Sequence, residues 1–169
     1  MASFPHDESG WSRLDYKLAR DGGIAFYHSE TVLQDDLAWL RSEKYQVHEF
    51  DARKWKSTEG FHSDVASKLQ FPEHYGRNLS AFEDCMRDVE VPQEGGTAIV
   101  IRNVEAVEDK QLMTDLLEIL AGTMRSNLLF GRRFLTLLQS GNRSIVFPAV
   151  GALPVQWNPK EWPESKRGV

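Results

Sequence analysis

The chain has 169 residues, enough for one ordinary domain with a core of its own and too few for two independent ones. With 41% apolar, 27% charged and 11% aromatic residues, including five Trp and nine Phe, the composition excludes general disorder. Twenty basic against twenty-five acidic side chains leave a net charge of -5, which argues against a phosphate-tracking nucleic-acid binder and allows attraction to a basic partner. The single Cys85 cannot form an intrachain disulfide, which suits a reducing cytoplasm. Met1–Gly10 lacks the apolar run of a signal peptide, and no eighteen-residue apolar stretch suggests a membrane span, so a cytoplasmic protein with no membrane partner is expected.

In chain order, Tyr16–Tyr27 reads as a hairpin around Arg20-Asp21-Gly22-Gly23, because Asp-Gly and Gly-Gly supply the positive backbone angles of a tight turn. Leu33, Leu37 and Leu40, with Asp35 and Asp36 early and Arg41 and Lys44 late, predict a helix over about 31–44. Gln46–Asp51 is a strand candidate; Phe61, Val65 and Leu69 mark a helix face that must end at Phe71-Pro72. Leu79, Phe82, Cys85, Met86 and Val89 form one stripe of the next helix, opposite Ser80, Glu83, Asp84, Arg87 and Asp88, with Asn78 as its N-cap. Thr97–Ile101 is a continuous apolar run, read as a central strand covered on both faces. A long helix through Leu112–Met124 follows, then strands at Phe134–Leu138 and Ile145–Phe147 around Ser140-Gly141-Asn142, and a tail, Trp157–Val169, draped over the surface or frayed. The alternation predicts an α/β sandwich with a mainly parallel sheet, to which terminal hairpins could add antiparallel edges.

Conventional chemistry is absent from the pattern. His6, His28, His48, His62 and His74 are scattered without metal-ligand spacing, and neither a phosphate loop nor a nucleophile elbow is present, so no metal and no cofactor is expected. A Cys85 nucleophile with His62 or His74 as base is conceivable, but Cys85 falls on the apolar stripe, where an inert thiol belongs. Charge placement is more telling. Residues 71–118 hold eleven acids and four bases, a local charge of -7, while the rest of the chain sums to +2. Glu83, Asp84 and Asp88 share one helix face beside a loop offering His74, Tyr75 and Asn78, a mixture suited either to a protein interface or to an ordinary solvated surface.

The segment Phe71-Pro-Glu-His-Tyr-Gly-Arg-Asn-Leu-Ser-Ala-Phe-Glu-Asp-Cys-Met86 resembles the signature of the barstar family, intracellular protein inhibitors of secreted ribonucleases. The shared frame is Pro-Glu-x-Tyr-Gly-x-Asn-Leu-x-Ala-x-x-Asp-Cys, and the resemblance extends over about residues 46–140, with 1–45 and 141–169 as extensions packed on that core within a single domain. It implies a two- or three-layer α/β sandwich and a function without catalysis: one-to-one occlusion of a toxic, basic, secreted ribonuclease by an acidic helix and its adjoining loop. Toxin-contacting residues implied by the match are His74, Tyr75, Gly76, Asn78, Ser80, Glu83 and Asp84, with Asp84 entering the enzyme's cationic pocket. Gly76 and Asn78 suit turn and capping roles as well, so Tyr75 and Asn78 have a scaffolding reading beside the contact reading. Three positions depart from the pattern: Ser80 stands for a second interfacial Asp, Glu83 for a Trp and Arg77 for an acid, and no acidic contact aligns on the later helix. Glu83 is placed to restore the missing charge, and immunity against a non-nuclease toxin is the alternative these departures leave open.

Overall fold

The computed structural model describes residues 4–5 and 7–161. In chain order the elements are α1 (Glu8–Ser12), α2 (Leu14–Arg20), β1 (Ile24–Tyr27), α3 (Glu30–Ser42), β2 (Tyr45–Asp51), α4 (Thr58–Leu69), α5 (Leu79–Asp88), β3 (Gly96–Arg102), α6 (Lys110–Leu129), β4 (Phe134–Gln139) and β5 (Gln156–Trp157). Short 3-10 turns occupy Ala52–Lys54, Val104–Ala106 and Pro159–Glu161. The five strands form one sheet in the order β2-β3-β4-β1-β5, every neighbouring pair parallel.

Strand alternation splits the interior in two. Phe26, Phe50, Ile99, Ile101, Phe134 and Leu138 point to a cluster completed by α4, α5 and α6, including Phe61, Phe82, Met86, Leu117 and Leu120. Ala25, Tyr27, Ala98, Val100, Leu135 and Leu137 point the other way, to Leu18 of α2 and to Leu33, Leu37 and Leu40 of α3. The architecture is therefore a three-layer α/β/α sandwich, and the run at Gly96–Arg102 is apolar because β3 is buried on both faces. No helix among the described residues is long and apolar enough to cross a membrane.

Three expectations are corrected. Tyr16–Tyr27 is not a hairpin: its first half is α2, and the glycines terminate that helix. Gly23 N–H donates to Leu18 C=O (2.9 Å) and Gly22 N–H to Ala19 C=O (3.2 Å), the paired bonds of a glycine-stopped helix end, with both glycines at positive φ. Leu14 and Leu18 share a face four residues apart and pack into the second cluster, so helical burial prevails over the turn signal.

Ile145–Phe147 forms no strand. An Asn142 turn (Ser144 N–H to Oδ1, 2.9 Å) leads the segment over the first cluster, where Ile145 and Phe147 pack and Val146 faces solvent. Phe147 meets Phe26 edge to face at 5.2 Å, and Pro148 has no N–H for a ladder. Among the described residues the last strand is instead β5, parallel to β1, so Trp157 belongs to the sheet and the expected antiparallel edges do not form; the remainder of the proposed tail, 162–169, lies outside the described residues.

Candidate functional site

The loop that links α4 to α5 is fixed at both ends. Gln70 adopts a left-handed conformation (φ 55°) and donates to Ala66 C=O, as does Phe71 at 3.0 Å, which stops α4 just ahead of Pro72. Tyr75 N–H donates to Pro72 C=O at 2.9 Å, closing a tight turn. At the far end Asn78 caps α5 as the sequence predicts, its Oδ1 accepting from Ala81 N–H at 2.9 Å while its Nδ2 donates to Gly76 C=O at 3.1 Å. A side chain at Gly76 would crowd this cap, with Asn78 Nδ2 only 3.2 Å from the added Cβ.

Tyr75 points inward. It is 8% exposed, meets Phe71 edge to face at 5.0 Å, and its hydroxyl is hydrogen-bonded to His62 Nδ1 of α4. His62 is itself 1% exposed and its Nε2 has no partner among the described residues. Burial lowers the His62 pKa, opposed by Glu59 and reinforced by Arg77, so the neutral imidazole is favoured. The same desolvation pushes the Tyr75 phenol up. This buried histidine is the component the sequence did not reveal: its partner lies thirteen residues away, a contact that only the helix-loop packing creates.

Around that anchor His74, Gly76, Asn78, Ser80, Glu83 and Asp84 are exposed, on one continuous loop-helix surface. The Asp84 carboxylate is 70% exposed. The acidic face is not bare: Arg87 donates to Glu83 Oε1 at 3.0 Å and to Asp84 Oδ1 at 3.1 Å, one and nearly one helical turn back. Such exposed pairs stabilise by only about 0.3–0.5 kcal/mol each, so Arg87 is easily displaced. Arg77, at φ 49°, turns away from the face and binds Glu59 and Ser63 of α4, the latter at 3.0 Å. The cation that departs from the family pattern thus tethers the loop to its neighbour.

The arrangement offers weak material for a Cys/His enzyme. Burial, then Asp88 and Asp84, push the Cys85 thiol up, which suppresses the thiolate, while His62 is engaged by Tyr75. Among the described residues no group of three or more His, Cys, Asp or Glu side chains is placed to hold a metal ion.

Comparison with known proteins places this surface in a lineage. Fifty-six residues, 32% of this chain, align at 39% identity with "Putative ribonuclease inhibitor YrdF" of Bacillus subtilis (strain 168). That match covers 57% of the relative, so the chain spans little more than half of its length. The family model described as "Barstar (barnase inhibitor)" matches residues 45–139, from the first residue of β2 to the last of β4 and across the whole loop-α5 surface, and the chain belongs to the barstar family.

Proposed function

We propose that this protein is a cytoplasmic inhibitor, an immunity protein, that binds a secreted basic ribonuclease one-to-one and occludes its active site with α5 and the loop before it. The carrying observation is the exposed Asp84 carboxylate on α5, in a barstar-family chain whose preceding loop is held rigid from beneath. A carboxylate so placed takes the position of a substrate phosphate among the enzyme's cations, and complementary charge steers the encounter. Preorganisation matters because a loop already ordered loses little freedom on binding. In this reading His74, Gly76, Asn78, Ser80, Glu83 and Asp84 meet the toxin, and Tyr75 supports them from within. In this reading the matched core and its two extensions are one domain, a reading supported by β1 and β5 sharing one sheet with β2, β3 and β4.

The test is inhibition of a panel of basic secreted ribonucleases by the wild-type chain and by Asp84→Arg. Saturation at one equivalent, with loss of several kcal/mol of affinity in the variant, is the expected result. Unchanged affinity would remove Asp84 from the interface, and inhibition of a non-nuclease toxin alone would transfer the same surface to a different target.

A further inference from the structure

Beside the acidic face, α5 and α6 enclose an open groove of about 500 Å³, with Glu83 and Arg87 on one wall and Glu118, Gly122 and Phe130 on the other. Gly122 leaves the middle of the groove unfilled: a Cβ built there would meet nothing within 4 Å. Glu118 receives the Gly151 N–H on both oxygens at 3.0 Å and forms no ion pair among the described residues. Arg87 is therefore bonded to Glu83 and Asp84 on the outer surface and, with Glu83, borders a groove whose other lining residues include both the Glu118 carboxylate and the Arg132 guanidinium.

We propose that Arg87 is a removable counter-ion of the toxin-binding surface, yielding Asp84 to an incoming cationic group and moving into the α5–α6 groove toward Glu118. This rests on the reading of Asp84 as the partner contact. While Arg87 holds both carboxylates, a neutral or anionic group gains nothing by approaching them. A guanidinium or ammonium group that can be desolvated against Asp84 forms a stronger bond than the exposed intrahelical pairs it replaces. Every partner must displace Arg87, so net affinity is gained only by a group whose bond to Asp84 exceeds that cost. Glu118 limits the cost of that exchange by giving the released guanidinium a second anion.

The proposal is tested by NMR titration of the full chain with methylguanidinium chloride at constant ionic strength, following the Asp84 carboxyl and the Arg87 Nε–H. Arg87→Gln is expected to tighten methylguanidinium binding at Asp84 about three- to fivefold. Lys54→Gln, the same charge change at an exposed site remote from α5 in sequence, is expected to leave it unchanged. Glu118→Gln is expected to weaken binding about twofold and to abolish the shift of the Arg87 resonance. Equal or weaker binding by Arg87→Gln, equal tightening by Lys54→Gln, or no saturable response at Asp84 in any variant overturns the proposal. If the response is missing while ribonuclease inhibition persists and depends on Asp84, the counter-ion role fails and the inhibitor reading stands. A normal response without inhibition of any ribonuclease has the opposite meaning.

Discussion

The hydrogen bond between His62 Nδ1 and the Tyr75 hydroxyl joins α4 to the loop that presents the candidate binding face. Both residues are buried, so the bond exchanges with little water and removing one partner strands the other. Tyr75→Phe keeps the ring contacts with Phe71 and removes only the hydroxyl. A loss of about 1–3 kcal/mol in urea unfolding is expected, together with faster amide exchange across residues 72–78. Unchanged exchange there would show that Asn78, Pro72 and the Arg77 tether hold the loop without the hydroxyl.

Burial lowers the pKa of His62 and of His48, each below its ordinary value of 6.5. Their folded-state pKa values lie under those of the unfolded chain, so the unfolded state takes up protons first as pH falls. The histidine contribution to stability is thus flat above about pH 7.5 and declines as pH drops through 6.5, by at most about 1.4 kcal/mol per pH unit for each histidine. Asp15 and Asp51 shift downward too, but as carboxylates their contribution is lost only below about pH 4, outside this window. Urea unfolding at pH 7.5 and 5.5 should show the decline, and His62→Gln should reduce it. An identical pH slope in that variant would assign the effect to other groups.

What the sequence made legible, and what it did not, follows from the range of each interaction. The stripe of α5, its Asn78 cap and the stop of α4 at Pro72 are set within a few residues, and the structure has them as read. The doubly buried β3 was legible because a strand covered on both faces has no polar alternation. The N-terminal hairpin failed because Asp-Gly-Gly serves equally well as a hairpin turn and as a helix stop, and only the packing of Leu18 against the sheet decides between them. At the candidate site the exposed acids were visible as a pattern, and the Glu83/Asp84–Arg87 spacing contained the intrahelical pairs. The His62 support and the turning of Arg77 toward Glu59 depend on how two helices meet, which no local pattern encodes.

Residues 45–139 contribute helices to only one face of the sheet, and α2 and α3 cover the other. Leu37 of α3 is fully buried in that second cluster. Leu37→Ala is expected to destabilise the whole chain by about 2–5 kcal/mol in a single unfolding transition. A separate early transition would mean that the segment before β2 unfolds independently of the matched core.

Ser80 offers a gain-of-function counterpart to these losses. It is exposed in the first turn of α5, two residues after the Asn78 cap, where a carboxylate is favoured by the unpaired N–H groups and the positive end of the helix dipole. Ser80→Asp should therefore stabilise the free protein by about 0.3–1 kcal/mol at low ionic strength, an effect that salt diminishes. The same change places a third carboxylate near Glu83 and Asp84 on the candidate interface. If a basic ribonuclease is the partner, its association rate should rise several-fold at low salt and converge with wild type at high salt, with a smaller change in dissociation rate. Stopped-flow association across a salt series separates the two contributions. Greater stability with an unchanged association rate would place Ser80 outside the approach path and confine the toxin to the Asp84 end of the helix.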